Sequence, residues 1–131
     1  MYKLDLISSE PKKRKYPHPL LFVHGAYAAS WCWEDFFIPY FTEQGFSVHA
    51  VSLRGHGDSE GALMLHSFHL RDYAEDLAIV VDNLDAQPVM IGHSLGCMVI
   101  QKYLEHDKIP AAVFLTPVPV TGVGLAGFEI A

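Results

Sequence analysis

The residues best suited to chemistry are Gly92-His93-Ser94-Leu95-Gly96, which follow the apolar run Val89-Met90-Ile91 and open an apolar segment that continues to Glu105. A G-x-S-x-G pattern between a strand and a helix places its serine on a sharp turn, with the hydroxyl standing clear of the sheet edge. Side chains beside such a turn would collide, so Gly92 and Gly96 are read as steric requirements. The helix behind the serine would aim its first N–H groups and the positive end of its dipole at the same point. That is the arrangement for nucleophilic attack by a hydroxyl on a carbonyl carbon, with the developing negative oxygen held by backbone donors. A second stretch, His24-Gly25-Ala26, follows the short apolar run Leu20 to Val23. In a parallel sheet it would reach the carboxyl edge, where ligands bind. The backbone N–H groups of Ala26 and Leu95 are the expected oxyanion donors, each worth about 3–4 kcal/mol of transition-state stabilisation. His24, Gly25 and His93 are read as shaping the site, His24 by orienting its loop through hydrogen bonds.

These residues need elements to hold them. Short apolar runs predict strands at Leu20–Val23, Phe46–Leu53, Val89–Ile91 and Ala112–Leu115, with a weak edge strand over Tyr2–Ile7. A helix is predicted over Ser30–Gln44, capped by Ser30, stopped by Gly45, and kinked or divided at Pro39. A second covers Leu70–Leu84, with Leu70, Tyr73, Ala74, Leu77, Val80, Val81 and Leu84 on the apolar stripe and Asp72, Glu75, Asp76 and Asp82 opposite. A third runs from Leu95 to Glu105 and is apolar nearly all round at its start, so it should lie against the sheet. The polar, Gly-rich stretch from Arg54 to His69 reads as loop. Alternating strands and helices of these lengths imply βαβ units, hence an α/β fold: three layers, α/β/α, around a mostly parallel sheet.

Composition narrows the class. The chain has 131 residues, half of them hydrophobic, and a net charge of -6. That is one domain with a real core, and a poor partner for nucleic acid. The run Lys12-Lys13-Arg14-Lys15 reads as a solvated turn rather than an import signal. Cys32 and Cys97 make no disulfide framework and are expected as buried free thiols in a reducing compartment. The N-terminal stretch lacks a secretory h-region and no apolar run approaches the roughly 18 residues needed for a membrane span, so a cytoplasmic location is expected. The histidines are scattered without ligand spacing, so no metal is expected, and no organic cofactor is indicated either.

Taken in order, HGAYAASWCW (24–33), RGHGDS (54–59) and GHSLGC (92–97) resemble the α/β-hydrolase superfamily over Leu20 to about Pro119. The resemblance implies Ser94 as nucleophile and Ala26 and Leu95 as oxyanion donors. Arg54 to Ser59 would be a turn shaping the pocket floor, with His56 and Asp58 structural there. Trp31 and Trp33 would be helix packing or pocket wall. Thr116 to Gly122 looks like the exit toward a lid, with a cap region beginning at about 117–131. Cys97 stands where a glycine is common; it is small enough for close packing and lies too deep to be a nucleophile.

The serine needs a base, and the base a carboxylate. The resemblance implies the order Ser, acid, His. After Ser94 the chain offers Glu105, Asp107 and Glu129, and one histidine, His106. Twelve residues along a helix is about 18 Å, which puts His106 out of reach. His93 adjoins the serine but points away on a sharp turn, and His66 and His69 lie before the second long helix. The resemblance implies eight strands, whereas about five are counted, or six with the N-terminal edge. The expectation is an incomplete core with an exposed sheet edge open to self-association. Three functions fit: a serine hydrolase cleaving a small-molecule carboxylic ester or related acyl bond, a non-catalytic binding relative, or another reaction on the same fold, such as a lyase or cofactor-free peroxidase.

Overall fold

In the computed structural model, which describes residues 2–119, five strands form one sheet: β1 (Leu6–Ser9), β2 (Leu20–Val23), β3 (Val48–Val51), β4 (Val89–His93) and β5 (Ala112–Leu115). The sheet order is β1-β3-β2-β4-β5. Only β1 runs antiparallel, pairing Ile7 with Ala50, while β2, β3, β4 and β5 are parallel. The count of five therefore already includes the N-terminal edge strand, which lies later than Tyr2–Ile7. Helices α1 (Phe37–Glu43), α2 (Leu70–Asp82) and α3 (Leu95–Tyr103) complete a three-layer α/β/α arrangement.

The two sheet faces pack against different helices because successive strand residues point to opposite sides. Leu21, Val23, Val51, Leu53 and Met90 pack with Leu77 and Val80 of α2 and Val99 and Ile100 of α3. Leu20, Phe22, Val48, Ala50 and Ile91 face the other way, onto Trp33 and Ile38. β2 is buried along its whole length and β4 from Met90 to Gly92, which is why Leu20–Val23 and Val89–Ile91 read as continuous apolar runs rather than alternating ones; β3 is buried too but carries His49. Burying a side chain such as Phe22 or Leu77 completely contributes about 1.5–3 kcal/mol each.

Several expectations need correction. The helix expected over Ser30–Gln44 is divided ahead of Pro39, not at it: a 3₁₀ helix spans Ser30–Trp33 and α1 begins at Phe37. Pro39 thus falls in the first turn, where its missing N–H costs no intrahelical bond. Ser30 is not the cap, which is Ala29; its hydroxyl instead donates to Asp5 Oδ2 at 2.8 Å. Gly45 does end α1, at φ 102°, with Gly45 N–H donating to Thr42 O and Phe46 N–H to Phe41 O. The loop from Arg54 to His69 contains a 3₁₀ helix over Ala62–Ser67. Asp76 does not face solvent with Asp72 and Glu75 but is fully buried. Cys32 is exposed, and only Cys97 is buried.

On the α1 side the sheet is covered as far as β2. Beyond it an apolar groove of about 220 Å³ is lined by Leu20, Phe22, Phe37, Val89, Ile91 and Leu115. The outer edge of β5 leaves Val113 45% and Phe114 38% exposed. No helix among the described residues is long and apolar enough to cross a membrane.

Candidate active site

The chain passes from β2 to β3 on one side and then crosses back to β4 on the other, so β2 and β4 are the central neighbours at which the connections diverge. A crevice at the carboxyl ends of such strands is where open α/β sheets bind ligands. Gly25 and Ser94 meet there: a Cβ built on Gly25 would lie 3.3 Å from Ser94 Cβ.

Ser94 is the residue between β4 and α3, with φ 51° and ψ -113°, a left-handed backbone that a non-glycine residue adopts only under constraint. The constraint is visible. Ser94 N–H donates to Leu115 O at 3.1 Å, tying the turn to β5, and Ser94 O accepts from Cys97 N–H at 3.0 Å, which begins α3. The turn is closed by backbone-to-backbone packing. A Cβ on Gly96 would overlap Val23 O and come within 2.8 Å of His24 O, and one on Gly92 would come within 2.9 Å of Cys97 N. A larger residue at Gly96 must push α3 away from β2, and one at Gly92 must push it away from β4. Ser94 itself is half-buried, and among the described residues its hydroxyl has no imidazole or carboxylate partner.

His24 is fully buried behind this turn. Leu53 N–H donates to its Nε2 at 3.0 Å, so in the neutral ring Nδ1 carries the hydrogen and donates to Gly25 O at 2.7 Å. Both ring nitrogens are thereby committed to backbone, one to the loop after β2 and one to the end of β3. Burial pushes the imidazole down to about 4, which leaves it uncharged near neutrality. Ala26 is exposed just beyond, and Leu95 is half-buried at the first turn of α3. His93 is exposed.

Ala26 and Leu95 also line a cleft of about 460 Å³, whose other walls include Tyr27, Trp31, His56, Leu65, His66 and Tyr73. Tyr27 has φ 59° and is 98% exposed, so its ring stands at the mouth. Trp33, by contrast, packs its ring 4.8 Å from that of Phe22 in the core. His56 Nδ1 lies 3.1 Å from Arg54 O. His106 sits past the far end of α3, in a surface depression with Arg71, Lys102 and Asp107. Glu129 and the start of the expected cap region fall outside the described residues.

The sequence reading overlooked what anchors the loop after β3. Arg54 N–H and Nε donate to the two oxygens of Asp76 at 2.8 Å each, and Nη2 makes an ion pair with Asp76 at 2.8 Å. The guanidinium lies 4.8 Å from the ring centroid of Tyr2. A signal was present, because Asp76 stands three residues after Tyr73 and one before Leu77, on the apolar stripe rather than opposite it. A second network ties the glycine-bearing loops to Asp5, just ahead of β1. Ser30 Oγ and Ser52 Oγ both donate to Asp5 Oδ2, and Asp5 N–H donates to Ser59 Oγ at 2.8 Å.

Comparison with known proteins agrees with this fold. Residues 18–126 match the model of the alpha/beta hydrolase fold. A pyrethroid hydrolase from Sphingobium wenxiniae is 30% identical over 101 residues, which is 76% of this chain and 35% of that protein. A non-heme chloroperoxidase from Burkholderia pyrrocinia is 33% identical over 111 residues, 80% of this chain and 39% of the relative. Among solved structures, a carboxylesterase from Nitrososphaera gargenis superposes with a TM-score of 0.76 at 24% identity, covering 90% of this chain and 43% of the other. The chain belongs to the α/β-hydrolase fold family, and its relatives include hydrolases. It spans between 35% and 39% of the length of the two curated relatives described here.

Proposed function

We propose that Ser94 is the nucleophile of a hydrolase that cleaves a small-molecule carboxylic ester or a related acyl bond. Its oxygen attacks the carbonyl carbon, and the N–H groups of Ala26 and Leu95 receive the oxyanion. The alcohol then leaves with a proton, and water releases the acid from the acyl-serine. The observation that carries this reading is the Ser94 backbone itself, a left-handed serine at the head of α3, packed against Gly25 beside a cleft that both proposed donors line. Strain of this kind costs about 1–3 kcal/mol and persists where the surroundings enforce it, commonly at reacting residues. The pyrethroid hydrolase relative supports ester chemistry. The reading extends to a cytoplasmic enzyme.

The base and its carboxylate belong, in this proposal, to sequence that this chain does not contain. His24 has both nitrogens committed, and His106 lies at the far end of α3. The chain on its own should therefore hold the nucleophile and oxyanion donors but turn over poorly. The exposed apolar edge at β5 and its adjoining groove support pairing with a second chain, which would register as a concentration-dependent mass in sedimentation. A second reading, release of the acyl-serine by peroxide rather than water to give a peracid, is favoured by the chloroperoxidase relative.

The test is labelling with a fluorophosphonate followed by peptide mapping, with and without free imidazole as a substitute base. A Ser94 adduct that forms slowly and accelerates at least tenfold with imidazole is the expected result. If no Ser94 adduct forms at saturating probe and imidazole in the folded chain, the nucleophile assignment is wrong.

A further inference from the structure

A serine–histidine pair stands at the opposite, amino edge of the parallel strands, remote from the Ser94 turn. Ser8, on the edge strand β1, is paired in register with His49 of β3, and Ser8 Oγ lies 2.8 Å from His49 Nδ1. Behind the ring, His49 Nε2 lies 3.3 Å from Ser47 Oγ, and Ser47 Oγ donates to Glu10 Oε1 at 2.5 Å. Arg14 holds that carboxylate from the other side at 3.1 Å and bridges to Asp85 at 2.7 Å.

The directions of these bonds follow from the end of the chain. An ionised carboxylate only accepts, so Ser47 spends its proton on Glu10 and presents a lone pair to His49. Nε2 must then carry the hydrogen, which leaves Nδ1 bare in the neutral ring, and Ser8 must donate its proton to Nδ1. The acceptance by Glu10 is secure, since the Ser47 hydroxyl, followed by Arg14, holds its carboxyl below the ordinary range. His49 is 8% exposed and burial lowers its basicity, so it is neutral at pH 7, whereas Ser8 is exposed. An exposed hydroxyl hydrogen-bonded to a buried, oriented imidazole with an acid behind it has the connectivity of an activated nucleophile.

We propose that Ser8 is a second reactive serine, which takes an acyl or phosphonyl group from small activated esters with His49 as its base. In the step, a bond forms between Ser8 Oγ and the electrophilic carbon or phosphorus. The hydroxyl proton passes to Nδ1, and the alcoholate or fluoride leaves with the electron pair of the bond it breaks. The charges facing His49 are Glu10, Asp85 and Arg14; the two carboxylates stabilise the imidazolium that forms, against the opposing Arg14.

The experiment uses the full chain carrying Ser94→Ala, so that it does not depend on the nucleophile proposed above. Labelling with a fluorophosphonate and peptide mapping should give an adduct on Ser8 without added imidazole. That adduct should vanish in Ser8→Ala and fall at least tenfold in His49→Gln. It should fall several-fold in Glu10→Gln, a surface change that leaves the fold intact by circular dichroism. The rate should rise with pH below neutrality and level off as His49 loses its proton. No Ser8 adduct in folded Ser94→Ala chain, or a Ser8 adduct whose rate ignores both Glu10→Gln and pH, overturns the proposal.

Discussion

Lowering the pH should destabilise this fold through His24 before any surface group matters. The ring is 0% exposed, donates from Nδ1 to Gly25 O, and accepts at Nε2 from Leu53 N–H. A second proton would place two N–H groups face to face and leave a charge in the core. Burial accordingly pulls the imidazole from 6.5 to about 4. In the unfolded chain the same ring titrates near 6.5. Between those values the unfolded state binds the extra proton and the folded state does not. The His24 contribution is therefore complete above about pH 6.5, declines as pH falls through the window, and is exhausted below about 4. At about 1.4 kcal/mol per pH unit the gap from 6.5 to about 4 comes to about 3 kcal/mol, a large part of a small domain's stability. The perturbation is His24→Gln, whose amide still offers a donor and an acceptor but does not titrate. Urea unfolding followed by circular dichroism at intervals from pH 4 to 7.5 gives the slope of stability against pH for each chain. The wild-type slope should exceed that of the variant by close to one proton across the window, while His49, also lowered by burial, contributes equally to both. Equal slopes in the two proteins would show that His24 is solvated or charged in the fold, and the reasoning would fail.

Three further outcomes follow from named contacts. Gly96→Ala must part α3 from β2, because its Cβ meets the carbonyls of Val23 and His24; a loss of about 2–3 kcal/mol in urea unfolding and a drop in Ser94 labelling are expected. Asp76→Ala strands the Arg54 charge in the core and should cost about 3–5 kcal/mol, measured the same way, with a smaller loss in Asp76→Asn. Ser94→Gly removes the strained left-handed serine and should raise stability by about 1 kcal/mol while abolishing adduct formation at position 94, a trade that no variant of a merely structural serine would show.

What could be read from the sequence is what local spacing determines. Leu20–Val23 and Val89–Ile91 announced strands because a parallel strand buried on both faces must be apolar at every position, and Ala112–Leu115 announced one by the same apolar run although it lies at the edge of the sheet. The α/β layering followed from their alternation with helical segments, and Gly45 marked a helix end because a left-handed residue is needed there. The glycines at 92 and 96 and the serine between them were legible as a motif, since that spacing has a steric reason before any fold is known. Beyond this, only tertiary structure decided. Pro39 looked like the break in a long helix, yet the 3₁₀ turn ends at Trp33, α1 starts at Phe37 with both rings packed on Phe22, and Pro39 is left harmless in a first turn. Asp76 looked solvent-facing until Arg54, 22 positions earlier, came to meet it. The commitment of both His24 nitrogens, and the chain from Ser8 through His49 and Ser47 to Glu10, depend on strands distant in sequence lying side by side. Periodicity reports which face of an element an atom occupies. Its hydrogen-bond partner is set by the register between elements, and register is a property of the assembled sheet.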